Sequence, residues 1–127
     1  MTEPSVPTNG VITLRGVQAH GYHGVLPQER RDGQRFLVDA EITIDWPVTD
    51  DLSATVDYVE IAARILAHLT GEPRQLIEQV AHDIAEDLLT LRGVQHVRVR
   101  VHKPEAPLGI EYGDLYVEIV KGGLGTL

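Results

Sequence analysis

Apolar and polar residues alternate along four separate stretches of this chain. The longest stretch lies at positions 36–46, where every second residue is apolar: Phe36, Val38, Ala40, Ile42, Ile44 and Trp46. Shorter stretches with the same period lie at 11–19, 97–101 and 115–120. Successive side chains of a strand point to opposite faces, so this period predicts four strands, each with one apolar face.

Apolar residues between the second and third strands recur instead at helical spacing. A first helix is predicted between Asp57, which forms a plausible cap pair with Glu60, and Gly71. Its apolar stripe is Tyr58, Ile61, Ala62, Ile65 and Leu69. A second helix is predicted from Pro73, a residue suited to a first helical turn, to Gly93.

The predicted element order is β-β-α-α-β-β, with Gly-, Pro- and polar-rich loops at 20–34 and 49–56. This order indicates an α+β fold, a four-stranded antiparallel sheet with two helices on one face. The length of 127 residues fits one domain. We expect a flexible N-terminal tail at 1–10, the folded domain at 11–121 and a flexible C-terminal tail at 122–127.

The charge of the chain and the edges of its sheet indicate which partners to expect. There are 19 acidic and 11 basic residues, a net charge of −8. Nucleic acids and anionic membranes require clustered Lys and Arg, so both are disfavoured. An open four-stranded sheet has two edges, and pairing with a neighbouring copy would cover them. We therefore expect a homo-oligomer with no nucleic-acid or membrane partner.

Cysteine and histidine usage gives little support for a metal site. The chain has no cysteine and six histidines, none of which are paired at the i, i+4 spacing of a helical zinc site. A three-histidine site built from His20, His23 and His102 stays open geometrically. No apolar run reaches the roughly 20 residues that span a bilayer, and no signal peptide is evident, so a cytoplasmic location is expected.

Four short segments carry polar residues that could serve chemistry. They are Gly21-Tyr22-His23-Gly24 followed by Glu29, Thr55-Val56-Asp57-Tyr58, Leu76-Ile77-Glu78, and Lys103-Pro104-Glu105-Ala106-Pro107. Each alone has an ordinary explanation as a turn, a helix cap, a partner of the helix dipole or a solvated charge. A carboxylate such as Glu78 could also grip the paired N–H donors of a guanidine-like ring edge.

Taken in this order, the four segments resemble the dihydroneopterin aldolase family over about residues 11–121. The Asp50-Asp51-Leu52 run and the Gly33-Gln34 pair also resemble that family. The resemblance implies the tunnelling fold, in which the sheets of several subunits join into a ring. It further implies a homo-octamer of two stacked tetrameric rings, with active sites shared between subunits.

The implied activity is that of a lyase in folate biosynthesis. It cleaves 7,8-dihydroneopterin by a retro-aldol reaction to 6-hydroxymethyl-7,8-dihydropterin and glycolaldehyde, with epimerisation to dihydromonapterin as a side activity. Aldolases usually stabilise the carbanion with a lysine Schiff base or a metal. Here the imine of the pterin ring accepts the electrons, so the resemblance implies no cofactor, no metal and no Schiff base.

The resemblance also implies roles for individual residues. Lys103 would be the main proton-transfer group and Glu29 its partner, which orients water and the substrate hydroxyls. Tyr58 would come from a neighbouring subunit, stack near the ring and help to protonate the intermediate. Glu78, with Ile77 beside it, would bind the 2-amino and N3 edge of the pterin.

Two features are left open by the resemblance. His23 could be a structural residue that bonds the loop backbone, or it could take part in binding. Many relatives continue the KPxAP segment with Ile-Pro and an aromatic-Asp pair, whereas this chain has Leu108-Gly109 and then Tyr112-Gly113-Asp114. We therefore expect the loop beside Lys103 to differ in shape.

Three other functions compete with the aldolase. The protein could mainly epimerise the substrate side chain, or could be another tunnelling-fold enzyme such as a pyruvoyl-tetrahydropterin synthase, which uses a His-bound zinc. It could also be a ring-forming protein that binds a pterin without turnover. In that case Glu78 and Tyr58 would bind the ligand while Lys103 and Glu29 would be incidental.

Overall fold

A computed structural model of the protein describes residues 8–122, which form four strands and three α-helices. In chain order the elements are β1 (Asn9–Gly21), α1 (Pro27–Asp32), β2 (Gln34–Asp45), a 3-10 turn (Leu52–Ala54), α2 (Tyr58–Thr70), α3 (Ile77–Leu89), β3 (Val94–His102) and β4 (Tyr116–Gly122). All neighbouring strands pair antiparallel, in the order β1-β2-β3-β4. The predicted α+β fold is confirmed, with α1 and the 3-10 turn as additions.

The core lies between the sheet and the pair α2 and α3. Alternate residues of β2 and β3 face the helices and are buried, as the period of the sequence predicts: Phe36, Val38, Ala40, Ile42, Ile44, Val97, Val99 and Val101. Trp46 continues that pattern in the sequence but is 55% exposed. The strand ends at Asp45, and the indole lies against Gly10, where a Cβ would overlap the ring.

The loop predicted at 20–34 is wrong in part, because it contains α1. Pro27 starts this helix, and the Glu29 side chain accepts the Leu26 N–H, as in a helix cap. The predicted start of the second helix at Pro73 is also wrong, since α3 begins at Ile77. The residues before Ile77 are not helical. The Arg74 N–H donates to the His23 side chain and the Arg74 carbonyl accepts the Gly24 N–H, so these backbone groups are not available for a helix.

The ordered chain extends slightly beyond the boundaries expected from sequence. Strand β1 includes Asn9 and Gly10, which we had placed in the N-terminal tail, and β4 includes Gly122. The remainder of both expected tails, at 1–7 and 123–127, lies outside the described residues. Among residues 8–122, no helix has the length and apolar character needed to cross a membrane.

Three of the four polar segments singled out in the sequence lie at one end of the sheet; the exception is the segment that contains Tyr58. Gly21 pairs with Gln34 there, and His102 pairs with Leu37 and Tyr116. We call this the Lys103 end. The carbonyl of Leu69, in the last turn of α2, also lies at this end, because it contacts the His23 side chain. The beginning of α2 therefore points to the opposite end of the sheet.

We predict that the buried stripe of α2 dominates the stability of the fold. Ile65 is fully buried, whereas its neighbour Leu66 is largely exposed. Ile65→Ala should lower the free energy of unfolding by about 2–5 kcal/mol, because it removes buried methyl groups and leaves a cavity. Leu66→Ala, the matched control, should change it by less than about 1 kcal/mol. Urea denaturation measures both, and equal losses would contradict this assignment of the core.

Candidate active site

An ion pair between Lys103 and Glu29 lies at the Lys103 end of the sheet. The Lys103 Nζ is 2.7 Å from the Glu29 Oε2. Glu29 belongs to α1 and is only 5% exposed, and the Lys103 side chain is partly buried. Lys103 directly follows β3, and its N–H donates to the Leu115 carbonyl at 2.8 Å. The end of a strand and a one-and-a-half-turn helix thus bring a cation and an anion together.

Further donors hold the Glu29 carboxylate in its charged form. The Gln34 Nε2 donates to Oε2 at 2.8 Å, and the Leu26 N–H donates to Oε1 at 3.2 Å. Burial by itself raises the pKa of Glu29, but the hydrogen bonds from Lys103, Gln34 and Leu26 outweigh it and lower that pKa. Gly24 has a φ of 150°, and a Cβ at that position would overlap the carboxylate. A buried carboxylate here therefore requires a glycine at position 24.

Gln34 is a residue whose role the sequence reasoning missed. It is 9% exposed, and its amide Nε2 is used by Glu29. Its Oε1 is buried and has no hydrogen-bond partner among the described residues. A buried acceptor without a donor is costly, so this oxygen calls for a hydrogen bond that the described residues do not supply. The Gly33-Gln34 pair was noticed as a family feature, but nothing in its spacing indicated contact with Glu29.

An open hollow of about 490 Å³ lies beside this pair. Its lining comes from the end of β1, from α1, from the start of β2 and from the loop after Lys103: His20, Gln28, Glu29, Asp32, Gly33, Gln34, Arg35, Glu105 and Pro107. The Glu105 carboxylate accepts the Arg35 N–H at 3.1 Å, which ties the loop to β2. The hollow is thus bounded by polar groups and opens to solvent.

His23 is structural, which decides between the two readings left open by the sequence. It is 1% exposed, and its Nε2 lies 3.0 Å from the Leu69 carbonyl. Its Nδ1 accepts the Arg74 N–H, also at 3.0 Å. This pattern fixes a neutral imidazole with its proton on Nε2. Burial lowers the pKa of His23, which keeps it neutral.

The structure divides the remaining predicted residues between the two ends of the domain. Glu78 is exposed in the first turn of α3, four residues after Arg74, which contacts His23. It therefore lies at the Lys103 end. Ile77 is buried in the core, so only its backbone can face a ligand. Tyr58 is 65% exposed at the first residue of α2, at the opposite end.

The three-histidine metal site left open by the sequence does not form. His20 Nε2 contacts the Asp32 carbonyl, and both nitrogens of His23 bond the backbone. Both nitrogens of His102 face carboxylates, those of Asp39 and Asp114. Among residues 8–122, no group of three or more His, Asp or Glu side chains is arranged to hold a metal ion.

Comparison with known proteins places this arrangement in a family. The family model described as FolB, dihydroneopterin aldolase, matches residues 12–120. The chain belongs to the dihydroneopterin aldolase family. The match includes both long helices, the loops that carry Glu29 and Lys103, and all four strands except the outer ends of β1 and β4, so it covers the complete candidate site.

Individual relatives agree with this assignment. The chain is 43% identical over 113 residues to the dihydroneopterin aldolase of Streptomyces coelicolor, covering 87% of this chain and 95% of that protein. It is 35% identical over 114 residues to the dihydroneopterin aldolase of Bacillus subtilis, with the same coverage. A crystal structure of E. coli dihydroneopterin aldolase in complex with neopterin superposes with a TM-score of 0.78 at 25% identity, over 89% of this chain and 99% of that one.

The resemblance stated from four short segments is therefore confirmed, and so are the tunnelling fold and the class of activity. A dihydroneopterin aldolase is a lyase, and the family implies a place in folate biosynthesis.

We predict that His23 makes the stability of this aldolase depend on pH near neutrality. Its folded-state pKa lies below the ordinary value of 6.5, so the unfolded chain binds a proton that the folded chain does not. The free energy of unfolding should therefore be fully retained above about pH 6.5 and fall as the pH is lowered, by at most ~1.4 kcal/mol per pH unit.

Urea denaturation at pH 5.5 and pH 7.5 measures this dependence. His23→Gln, which cannot titrate, should be less stable at pH 7.5 but should lose less on acidification than the wild type. His82→Gln, which removes a half-exposed histidine on α3, is the matched control and should keep the wild-type dependence. An unchanged dependence in His23→Gln would contradict the role given to its neutral form.

Proposed function

We propose that the Lys103–Glu29 pair performs the proton transfers of the retro-aldol cleavage of 7,8-dihydroneopterin. The observation that carries the proposal is the 2.7 Å contact between the two charged groups, beside an open hollow at the end of the sheet. An ammonium and a carboxylate in contact offer a proton donor and a proton acceptor within one hydrogen bond of each other. The family supplies the reaction, and this pair supplies the groups that it needs.

The reaction breaks the bond between C1′ and C2′ of the substrate side chain. A base takes the proton of the C2′ hydroxyl, directly or through a water, and C2′ leaves as the aldehyde carbon of glycolaldehyde. The electron pair of the broken bond moves onto C1′ and through C6 to N5 of the ring. N5 takes a proton; C1′ then takes a proton while N5 loses its own, which restores the C6=N5 imine and gives 6-hydroxymethyl-7,8-dihydropterin. Glu29 would orient the hydroxyls and the water, and Lys103 would exchange protons with N5.

Gln34 would add a contact to this set. Gln34 lines the hollow, and its buried Oε1 has no hydrogen-bond partner among the described residues; a small movement of the side chain on substrate binding would let a substrate hydroxyl or N–H donate to it. Because its Nε2 already bonds Glu29, the orientation of the amide is fixed before the substrate arrives. Such prior fixation favours precise placement of the reacting bond.

The pterin ring would be bound at the start of α3. A carboxylate can accept two parallel hydrogen bonds from the 2-amino and N3 edge of a pterin, and the exposed Glu78 lies at the correct end of the domain for this role. The buried Ile77 would contribute through its backbone N–H, which in a first helical turn has no partner within the helix. The related E. coli protein was crystallised in complex with neopterin, which supports a pterin as ligand.

Tyr58 would reach the ring only from a neighbouring subunit. The 13 residues of α2 separate it from the Lys103 end by about 18 Å within one chain. A neighbour that presents its own Tyr58 next to Lys103 would complete the site, and the two edge strands β1 and β4 offer surfaces for such pairing. We propose an octamer of two tetrameric rings. The expected cytoplasmic location and metal independence stay predictions.

We predict that Lys103→Met abolishes most turnover of 7,8-dihydroneopterin. Loss of the proton-transfer group should lower kcat by roughly 10²–10⁴-fold, measured as glycolaldehyde release with EDTA present. Lys121→Met is the matched control, because Lys121 is the only other lysine of the chain and lies on β4. It should retain the wild-type rate.

The outcomes separate the competing functions. A Lys103→Met rate within tenfold of the wild type, in a folded protein, would overturn the role of Lys103. Pterin binding without glycolaldehyde release by the wild type would overturn the aldolase itself in favour of a binding protein. Product chromatography detects dihydromonapterin, and its excess over the cleavage product would favour an epimerase.

We predict that oligomers assembled from two different inactive variants recover activity, because the active site is shared between subunits. Lys103→Met and Tyr58→Ala should each be nearly inactive alone. When the two are denatured, mixed in equal amounts and refolded together, a site that joins two subunits has both native residues in about one quarter of the cases. Activity should therefore recover to roughly that fraction of the wild type. A site built within one chain would give no recovery.

A further inference from the structure

A chain of hydrogen bonds crosses the open face of the sheet and ends next to Lys103. His102, the last residue of β3, lies between two carboxylates: its Nε2 is 2.6 Å from the Asp39 Oδ2 and its Nδ1 is 2.7 Å from the Asp114 Oδ2. The side chains of His102 and Asp39 are only 16% and 17% exposed. None of these three residues belongs to the set proposed above for the reaction.

The two short contacts of His102 favour one arrangement of protons on its ring. A neutral imidazole carries one N–H and one lone pair, so it can donate to only one of two ionised carboxylates. Its lone pair would face the oxygen of the other at hydrogen-bond distance. Two contacts at 2.6 and 2.7 Å are therefore satisfied together by the doubly protonated ring.

Both carboxylates are themselves anchored to the backbone. The Asp39 Oδ1 accepts the N–H of Gly16 at 2.9 Å, and Gly16 has a φ of 74° in the bulge that interrupts the pairing of β1 with β2. The Asp114 Oδ1 accepts the N–H of Leu115 at 2.8 Å. Burial alone raises the pKa of Asp39, but the bonds from His102 and Gly16 outweigh it and lower that pKa, so Asp39 stays ionised.

Asp114 and Leu115 lie at the end of the loop that begins at Lys103. Leu115 also accepts the Lys103 N–H at 2.8 Å, so the segment from Lys103 to Leu115 is a loop with its two ends bonded. Within the loop, the Tyr112 hydroxyl lies 2.6 Å from the Ala106 carbonyl and 2.9 Å from that of Pro104. This is the loop whose sequence departs from the usual family pattern.

We propose that protonated His102 is a positioning residue, which clamps the base of this loop between Asp39 and Asp114 and thereby directs Lys103 toward Glu29. Neighbouring side chains of an extended chain point to opposite faces of the sheet. The clamp therefore holds the backbone from the open face while Lys103 extends to Glu29 on the helix side. The proposal rests on the proposed role of Lys103 in the reaction.

Other charged and aromatic groups surround the clamp. Arg15 on β1 acts on Asp39, and the Tyr116 ring on β4 lies 4.9 Å from that of His102. Arg100, two residues before His102, lies over the Tyr116 ring and pairs with Glu118. The two atoms that contact the His102 nitrogens are therefore both carboxylate oxygens, while the nearby cations pair with other groups.

The test compares His102→Gln with His96→Gln in the complete protein. His96 is the matched control, because it lies on the same strand and the same face, about 20 Å away at the other end. His102→Gln should lower kcat for 7,8-dihydroneopterin by about 10–100-fold with little change in KM, because Lys103 is misplaced rather than lost. His96→Gln should keep the wild-type kcat. A kcat of His102→Gln within twofold of the wild type would overturn the proposal.

A second variant separates positioning from simple structural support. Asp114→Asn removes one of the two anions that hold the His102 ring, so it should lower kcat in the same direction as His102→Gln with little change in KM. An unchanged kcat in Asp114→Asn would contradict the clamp.

Hydrogen exchange tests the clamp without relying on turnover. The Lys103 N–H, bonded to Leu115, should exchange about tenfold faster in His102→Gln and at the wild-type rate in His96→Gln. Unchanged exchange in His102→Gln would overturn the clamp. A wild-type protein that does not cleave the substrate would instead overturn the proposed function, and the exchange result would still decide the clamp.

Discussion

A buried carboxylate imposes the arrangement of this end of the molecule. Glu29 is almost completely enclosed, and an ionised carboxylate removed from water must be matched by donors. Lys103, Gln34 and the Leu26 N–H provide them. Together with Glu29 itself, these groups come from four parts of the chain: the loop after β1, α1, the first residue of β2 and the segment after β3. One buried charge therefore holds these four parts together. Gly24 leaves the space that the carboxylate occupies.

The ion pair is better understood as a requirement of chemistry than of stability. Desolvation of two charges commonly costs as much as their attraction returns, so an apolar pair of similar volume would often stabilise a protein equally well. A Lys103–Glu29 pair beside an open hollow therefore fits the proposed use of their protons in the reaction. His23 also links segments at this end, because it joins the loop after β1 to the end of α2 and to Arg74 without carrying charge.

Two networks meet at Lys103 from opposite faces of the sheet. On the helix side the lysine contacts Glu29, and on the open side its neighbour His102 lies between Asp39 and Asp114. The first network pairs one cation with one anion, and the second places an imidazole between two carboxylates. In the proposed mechanism the plane of the sheet separates the two, so that the second holds the backbone in place while the first exchanges protons with the substrate. Tyr58 belongs to neither, because α2 places it at the far end of the domain.

The sequence by itself determined the sheet, the two long helices and the family. Period-2 and helical spacings are local consequences of backbone geometry, so the alternation at 36–46 and the stripe ending at Leu69 could be read directly. Four motifs in order, among them Lys103 and Glu29, sufficed for the family. Helix α1 was missed because six residues are too few to show a period, and the start of α3 was misplaced because Arg74 bonds a distant loop.

Only the tertiary structure decided which polar residues meet. Gln34 and Glu29 are five positions apart, yet their contact depends on how α1 folds back onto β2. His102 is 63 positions from Asp39, and nothing local to either residue indicates that the pleat of two strands makes them neighbours. Contacts of this kind arise from chain topology, which a local pattern does not encode. The same reason explains why His23 could be settled as structural only once both of its nitrogens had visible partners.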